Sequence, residues 1–474
     1  MGQDVVTTPE NIEKIDFLLV GSHYSDRPGF YRSLASQFSE RGFTAGLITA
    51  CYEEHQELCK DGIFSICLSQ EVKISSSLAD KTLKEECSKL ENKYNIPSLR
   101  DFVFTEMCYY GEPRNYLLRK AVAYFKWAEK FFTEHQIGCV VQKQGGEVHR
   151  RVIYRLAKNL GIPVIYFGQS LFPGKMLLHS DEMNRLEDFQ FKSWDEIKPE
   201  DKEWIEKYIT QFKKDKGIFT YSFVWDQEAI LVKIIRKFYL YAKEGDWRRL
   251  RIAVRKRLNK YLLQIANRVI SRMFYSKPSM ESPFIYFPFH VPDDSQITIR
   301  NPQFYDQEFL ARYIARCLPV GYKLYVKEHP GSYLSLREKQ LLREEENIVL
   351  CHPKINSHDL IRHAKAVIII NSTVGFEALH YFKPIVVVGN WTFRGIGISF
   401  DVNNLFELSK TIKPALTEQP DANLVKAFLV SLKNSCWDGS IYTRDINYGI
   451  VVDSLIKKRD KLISSAESKS SVGS

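Results

Sequence analysis

Short apolar runs alternate with amphipathic stretches over the first 180 residues of the chain. Continuous apolar runs predict buried strands at 16–20, 45–48, 137–141 and 163–167. Apolar residues at helical spacing predict helices over 28–41 and 147–160. Strands that alternate with helices of about ten to fifteen residues are typical of βαβ units, so this region predicts a parallel sheet.

The alternation stops near residue 182 and returns at about residue 283. The intervening stretch opens acidic and becomes basic and aromatic, with helical spacing over 230–241 and 250–273. Beyond it, apolar runs predict strands at 284–287, 323–326, 348–350, 367–370 and 385–388. Helices are predicted over 307–317, 357–364 and 374–381.

These patterns predict an α/β protein with two Rossmann-like domains that face a cleft and a basic helical insert between them. The predicted segments are an N-terminal domain at 1–181, the insert at 182–280, a C-terminal domain at 281–430, C-terminal helices at 431–462 and a disordered tail at 463–474. The length of 474 residues allows two or three domains.

Composition excludes several other classes of protein. With 44% hydrophobic and 26% charged residues, the chain is neither disordered nor fibrous. Its nine cysteines include no Cys-x-x-Cys pair, which favours reduced thiols. The polar start at 1–10 lacks a secretory h-region, and no apolar run approaches the ~20 residues of a membrane span. We therefore expect a cytoplasmic protein.

The net charge of +10 is concentrated in one segment. Between 233 and 277, fourteen Lys and Arg residues face only Glu244 and Asp246, so this basic segment carries +12 and the rest of the chain −2. A solvated surface or a nucleic-acid site would also fit such a charge. The interleaved aromatic residues favour an anionic membrane surface, on the cytoplasmic face of the inner membrane. The candidate membrane contacts are Arg248, Arg249, Arg251, Arg255, Lys256 and Arg257.

Two strand ends in the C-terminal half carry candidate phosphate-binding residues. Strand 323–326 leads into Lys327-Glu328-His329-Pro330, and strand 367–370 leads into Asn371-Ser372-Thr373 at the start of a helix. Because the first amides of a helix are unpaired and its dipole end is positive, such a turn can bind phosphate. Glu377, one turn further on, could accept hydrogen bonds from ribose hydroxyls. An ordinary helix cap is the alternative reading of the same turn.

The N-terminal half offers candidate acid–base groups. Glu147 follows strand 137–141 on a Gly-rich turn, where partial burial is expected to raise its pKa for base catalysis. Asp181 is a second candidate carboxylate, and His23 a candidate acceptor-side residue or cap. No standard metal-ligand spacing is present, so we expect no metal.

Five stretches of the sequence resemble the capsule polysaccharide biosynthesis family, whose members include transferases of Kdo (3-deoxy-manno-octulosonate). They are Gly161–Gly174, Phe284–Asp294, Phe304–Gln307, Leu318–Gly331 and Asn371–Gly389. The resemblance implies a GT-B fold and a CMP-activated sugar donor, without a further cofactor. Many members carry Gln-Pro-Glu after the Phe-Pro strand, where this chain has Val291-Pro292-Asp293, which weakens the identification of Kdo as the donor sugar.

The resemblance also assigns roles to individual residues of the nucleotide site. His329 becomes a phosphate contact, Ser372 and Thr373 a second phosphate clamp, and Glu377 a nucleotide contact. Lys327 and Gly375 lie within the same two motifs and complete the predicted nucleotide-binding set.

The sequence thus predicts a glycosyltransferase that moves Kdo or a related acidic sugar from a CMP-linked donor to a surface polysaccharide or lipid-linked glycan. A CDP-alditol phosphotransferase, a UDP-sugar epimerase-like enzyme and a non-catalytic assembly factor remain alternatives.

Overall fold

The computed structural model describes residues 12–22, 29–75, 79–216, 247, 251, 254–255, 273–329, 332, 334–441, 443 and 445–472. The described residues form two compact units. Of the described residues, the first unit takes those up to Glu187, residue 247 and those from Cys436 onward, and the second takes 188–216, 251, 254–255 and those from 273 to 435.

The first unit contains a seven-stranded and a two-stranded sheet. Its strands are β1 (Lys14–Ile15), β2 (Phe17–Val20), β3 (Ala45–Thr49), β4 (Ser65–Cys67), β5 (Gln136–Ile137), β6 (Val140–Lys143), β7 (Val164–Gln169), β8 (Lys175–His179) and β15 (Trp437–Asp438). Its helices are α1 (Phe30–Ser39), α2 (Tyr52–Lys60), α3 (Leu68–Glu71), α4 (Asp80–Lys93), α5 (Leu99–Phe102), α6 (Phe104–Tyr110), α7 (Arg114–Glu134), α8 (Val148–Asn159) and α17 (Tyr448–Val472).

The second unit contains a six-stranded sheet. Its strands are β9 (Phe284–Pro288), β10 (Lys323–Lys327), β11 (Ile348–Cys351), β12 (Ala366–Ile369), β13 (Ile385–Val387) and β14 (Phe400–Asp401). Its helices are α9 (Pro199–Lys214), α10 (Ser295–Thr298), α11 (Gln307–Cys317), α12 (Leu336–Arg343), α13 (Ser357–His363), α14 (Val374–His380), α15 (Leu408–Ala415) and α16 (Ala422–Asn434). Short 3-10 helices span Trp194–Glu196, Pro302–Phe304 and Leu405–Glu407.

Strand order identifies both sheets as Rossmann-like. The second sheet runs β11-β10-β9-β12-β13-β14, and every pair in it is parallel. Counted from its own first strand this is the order 3-2-1-4-5-6, which is typical of Rossmann sheets. In the first unit β4-β3-β2-β6-β7-β8 repeats that order, with β8 antiparallel and β15 added beyond it. The predicted α/β class with two Rossmann-like units, the components of a GT-B fold, is confirmed.

Local sequence explains the central strands. All four residues of β2 and all five of β9 are buried, as expected for parallel strands covered by helices on both faces. In α11, Leu310, Ala311, Ile314 and Ala315 form one buried stripe that packs against the second sheet.

The end of the chain differs from the prediction. Residues from Cys436 return to the first unit, where β15 pairs with β8 and α17 places Val451, Val452 and Leu455 in the core. The predicted disordered tail at 463–474 is wrong over its described part, because α17 continues to Val472. No Gly or Pro interrupts 463–472, and Ser464 and Ser465 bond back to carbonyls four residues earlier.

The predicted insert at 182–280 does not form a separate domain over its described part. Residues 182–187 belong to the first unit, and α9 packs into the second unit through Ile205, Ile209 and Phe212. Of the candidate membrane contacts, the structure describes Arg251 and Arg255, both exposed, whereas Arg248, Arg249, Lys256 and Arg257 lie outside the described residues. Within the described part of the chain, no helix has both the length and the apolar character to cross a membrane.

Candidate functional site

Three polar side chains follow three neighbouring strands at equivalent positions of the second sheet. The β9–β10 register pairs Pro288 with Lys327, so His290 and His329 each lie two residues beyond a paired position. The ladder continues past the strands, since the Phe289 amide donates to the Lys327 carbonyl at 3.0 Å. Extending the β9–β12 register in the same way places Asn371 beside His290. The row lies where the strand order reverses, the usual ligand crevice of an open α/β sheet.

His290 is held at the backbone while its ring nitrogen is left without a partner. Its amide donates to Gln307 Oε1 at 2.7 Å, and Gln307 Nε2 donates to its carbonyl at 3.3 Å. The ring Nε2 is buried and makes no hydrogen bond. Burial lowers the pKa of His290 to about 4, with His329 adding to the shift and Asp294 opposing it. The imidazole is therefore neutral near pH 7.

A network of amides fixes the loop after β9 against the ends of β12 and β13. Asn371 Nδ2 donates to the Gln296 carbonyl and to Gln296 Oε1, each at 2.9 Å. Asn301 Oδ1 accepts from the Asn390 amide at 2.7 Å. A Cβ on Gly389 would lie 2.5 Å from that Asn301 oxygen, so only glycine fits there. Asn371 Oδ1, in contrast, is buried without a hydrogen-bond partner.

The predicted phosphate turn is present, on a helix of seven residues. Ser372 Oγ accepts from the Val374 amide at 3.2 Å, a local cap that leaves the hydroxyl proton to donate elsewhere. Thr373 is exposed, and Gly375 lets α14 approach β12, since a Cβ there would meet Ile369 Cδ1 at 2.5 Å. The turn is thus capped as an ordinary helix start, with the Thr373 side chain open to solvent.

Beneath this turn lies a buried polar cluster that brings Lys327 and Glu377 together. Lys327 Nζ donates to Ser357 Oγ at 2.8 Å, and His358 Nε2 lies 3.7 Å from Glu377 Oε2. Burial raises the pKa of Glu377 to about 7, although Lys327 opposes the shift. Burial also lowers the pKa of Lys327, and Glu377 opposes it. Glu377 therefore titrates near neutral pH.

Two histidines that precede prolines in the sequence follow neighbouring strands, His329 after β10 and His352 after β11. Burial lowers the pKa of His329, Lys327 adds to the shift, and Asp294 opposes it. Burial also lowers the pKa of His352, whose ring packs edge-on against Tyr275 at 5.0 Å and accepts from the Lys354 amide. The His352 ring is thus occupied by local contacts.

In the first unit Glu147 is surrounded by partners that the sequence did not indicate. Ser22 Oγ donates to Glu147 Oε1 at 2.8 Å, and Arg150 NH1 donates to Glu147 Oε2 at 3.2 Å. Burial alone would raise the pKa of Glu147, but Arg150, His149 and Ser22 outweigh it and hold that pKa below its ordinary value. The predicted raised pKa is wrong, because sequence spacing does not show which cations neighbour a carboxylate.

Asp181 caps a turn in the first unit. Its Oδ1 accepts from the amides of Met183 at 3.0 Å and Arg185 at 3.3 Å, and Arg185 Nε lies 3.6 Å from its other oxygen. Its catalytic role stays a prediction. His23 lies outside the described residues.

The structure therefore gathers the predicted nucleotide-binding residues at one edge of the second sheet and adds His290, His358 and Asn371 to them. The equal spacing of His290 and His329 from their strand ends is a sequence signal that could have identified His290. Among the described residues, no group of three or more His, Cys, Asp or Glu side chains is placed to hold a metal ion.

Sequence comparison with a family model matches mainly the second unit. The model of a family described as capsule polysaccharide biosynthesis protein matches residues 227–439. Protein FixF of Sinorhizobium fredii is 27% identical over 173 residues, which cover 36% of this chain and 42% of that protein. The capsule polysaccharide export protein KpsS of Escherichia coli is 29% identical over 168 residues, which cover 33% and 42%. The chain thus spans about two fifths of the length of these curated relatives.

Among solved structures, the β-Kdo 2,7 transferase KpsC of Thermosulfurimonas dismutans aligns with 70% of this chain and 89% of its own, at 15% identity and a TM-score of 0.33. The C-terminal stretches that carry the sequence resemblance, from Phe284 to Gly389, lie inside the family match, whereas 161–174 lies outside it. The predicted resemblance to the capsule polysaccharide biosynthesis family is confirmed over residues 227–439.

Proposed function

We propose that this chain is a glycosyltransferase of surface-polysaccharide synthesis, which uses a nucleotide-activated sugar and a polysaccharide or lipid-linked glycan acceptor. The observation that carries the proposal is the row of His329, His290 and Asn371 at the reversal point of a Rossmann-like sheet. The description of the matched family supports a place in capsule polysaccharide biosynthesis, and the relative KpsS is named for capsule polysaccharide export.

The donor phosphate binds at His329 and at the Ser372–Thr373 turn, and Glu377 contacts the ribose. A single phosphate between nucleoside and sugar suits this arrangement, since the polar row and the turn follow adjacent strands. The identification of the donor as CMP linked to Kdo, or to a related acidic sugar, rests on the sequence resemblance.

The acceptor binds on the first unit, where the Glu147 carboxylate acts as the general base or the nucleophile. A carboxylate whose pKa lies below its ordinary value is ionised at neutral pH, and that is the form both a general base and a nucleophile require. Ser22 and Arg150 fix the two carboxylate oxygens and hence its direction.

Calorimetric titration of the full chain with CMP, CDP and UDP tests the nucleotide site. We expect CMP to bind most tightly and His329→Ala to weaken it about tenfold or more, because a hydrogen bond to a charged phosphate is lost. His352→Ala is the matched control on the other His-Pro turn and should bind normally. Wild-type affinity in His329→Ala would refute that contact, and a preference for UDP would refute the CMP donor. A donor labelled in the sugar or in the phosphate separates two enzyme classes. A glycosyltransferase passes only the sugar label to the acceptor, whereas an alditol phosphotransferase also passes the phosphate label.

We also propose that the basic segment at 233–277 binds an anionic membrane surface. Each Lys or Arg near such a surface contributes about 1 kcal/mol, so seven of the fourteen would contribute roughly 7 kcal/mol before entropic losses. We expect co-sedimentation with phosphatidylglycerol vesicles and its loss when Arg248, Arg249, Arg251, Arg255, Lys256 and Arg257 become Ser. Equal sedimentation of this variant and the wild type would contradict the proposal.

A further inference from the structure

A buried nitrogen just beyond the strand ends of the second sheet has no hydrogen-bond partner among the described residues. His290 Nε2 is buried and unpaired, although both backbone polar groups of the residue are satisfied by Gln307. An unpaired buried polar atom destabilises the free protein, so a ligand that supplies its partner gains free energy on binding.

The position of His290 defines the chemistry of that ligand. His290 and His329 occupy equal register positions on adjacent parallel strands, and Asp294 interacts electrostatically with both rings. Asp294 is itself fixed as the cap of α10, where its Oδ1 accepts from the Gln296 amide at 2.8 Å. Two neighbouring imidazoles with one carboxylate nearby can hold an additional proton when an anion arrives between them.

We propose that His290 is a second imidazole contact for the donor phosphate, beside His329, and that nucleotide binding draws a proton from solvent onto this pair. The inference rests on the proposed nucleotide site and adds a residue and a proton to it. Before binding, both rings are neutral at pH 7.5, because burial lowers the pKa of each. A phosphate oxygen within reach of both rings favours the charged form and so reverses that shift.

The charged groups around the pair determine its proton affinity. Asp294 favours protonation of both rings, whereas Lys327 opposes it at His329 and His329 opposes it at His290. The contact from α11 is the neutral amide of Gln307. These groups are present both before and after binding. The phosphate is thus the charged group that binding adds to the surroundings of the two rings.

Proton uptake is measured by titrating the full chain with CMP at pH 7.5 in buffers of different ionisation enthalpy. We expect the wild type to take up a substantial fraction of one proton for each CMP bound. His290→Gln should at least halve this uptake and weaken CMP binding about tenfold. His352→Gln, after the neighbouring strand β11, should change neither value. His290→Asn and thermal unfolding of each variant show whether any loss reflects misfolding.

The outcomes separate this inference from the proposed function. Binding of CMP without proton uptake, or with the same uptake and affinity in His290→Gln, overturns the role of His290 and leaves the nucleotide site standing. An equal loss of CMP and cytidine affinity in the variant overturns the phosphate contact, because cytidine has no phosphate. Absence of binding by CMP, CDP and UDP to the wild type overturns both proposals.

Discussion

Replacing Lys120 with methionine is expected to lower the free energy of unfolding by about 3–5 kcal/mol. Lys120 on α7 and Glu106 on α6 form an ion pair in which both side chains are buried, at 0% and 1% exposure. Glu106 Oε2 also accepts from the Val148 amide at 2.6 Å, at the first residue of α8. Without Lys120, the Glu106 carboxylate would stay buried after losing the cation of its ion pair, which is the costly way to break such a pair.

Urea unfolding followed by circular dichroism at pH 7 measures this loss. Lys130→Met on the same helix is the matched control, because its partner Glu134 lies 3.6 Å away and the lysine side chain is 74% exposed. That variant should change the free energy of unfolding by less than about 1 kcal/mol. Adding Glu106→Gln to Lys120→Met should restore part of the loss, since the buried charge is then removed as well. Equal midpoints for Lys120→Met and Lys130→Met would contradict the prediction.

If the chain transfers a sugar as proposed, the same variant should also slow that transfer, measured as release of the nucleotide. Glu106 fixes the first amide of α8, and Glu147 is the residue immediately before that helix. A shift at the helix start would move Glu147 away from Ser22, so we expect a lower rate of transfer even under conditions in which Lys120→Met remains folded.

The second unit could be predicted closely from sequence because most of its strands are short apolar runs bounded by polar turns. The helix predicted at 307–317 is found at Gln307–Cys317, and the strand predicted at 323–326 ends one residue later, at Lys327. The first unit was harder between β3 and β5. There α7 buries Lys120 among apolar residues, and a buried lysine interrupts the periodicity on which such predictions depend.

The candidate site could be predicted only where its chemistry is local in sequence. His329 and the Ser372–Thr373 turn stand within three residues of the ends of apolar runs, so strand ends identify them. The equal spacing of His290 and His329 from their strand ends is visible in the sequence, but their proximity depends on the pairing of β9 with β10, which the sequence does not show. The same limit explains why the predicted raised pKa of Glu147 is wrong. That pKa is set partly by Ser22, which follows a different strand.

Glu377→Gln is expected to make the free protein more stable above pH 7 while it weakens nucleotide binding. The pKa of Glu377 is about 7 in the folded protein and 4.5 ordinarily. Between these values the folded state binds a proton that the unfolded state has released, so this residue's contribution to stability falls as pH rises through the window. Since one pKa unit corresponds to about 1.4 kcal/mol, the ionised carboxylate costs on the order of 3 kcal/mol above pH 7.

His358 has the opposite pH dependence. Its pKa is lowered to about 4, chiefly by burial, so its contribution to stability is present above pH 6.5 and is lost as pH falls toward 4. Because Glu377→Gln retains His358, the difference between variant and wild type reports the carboxylate together with its contact to His358 at 3.7 Å. That difference should be small below pH 4.5 and should grow until about pH 7.

Urea unfolding of the wild type and Glu377→Gln at several pH values measures the predicted gain in stability. CMP titrations of the same two proteins at pH 8 measure the predicted loss of binding. Glu346→Gln, on an exposed position of the same unit, is the control and should leave stability and binding unchanged. A stability difference that does not vary with pH would contradict the raised pKa of Glu377. Wild-type affinity for CMP in Glu377→Gln would contradict the ribose contact. Higher stability combined with at least tenfold weaker binding would indicate that this carboxylate is retained for its ligand, because folding alone favours the neutral amide.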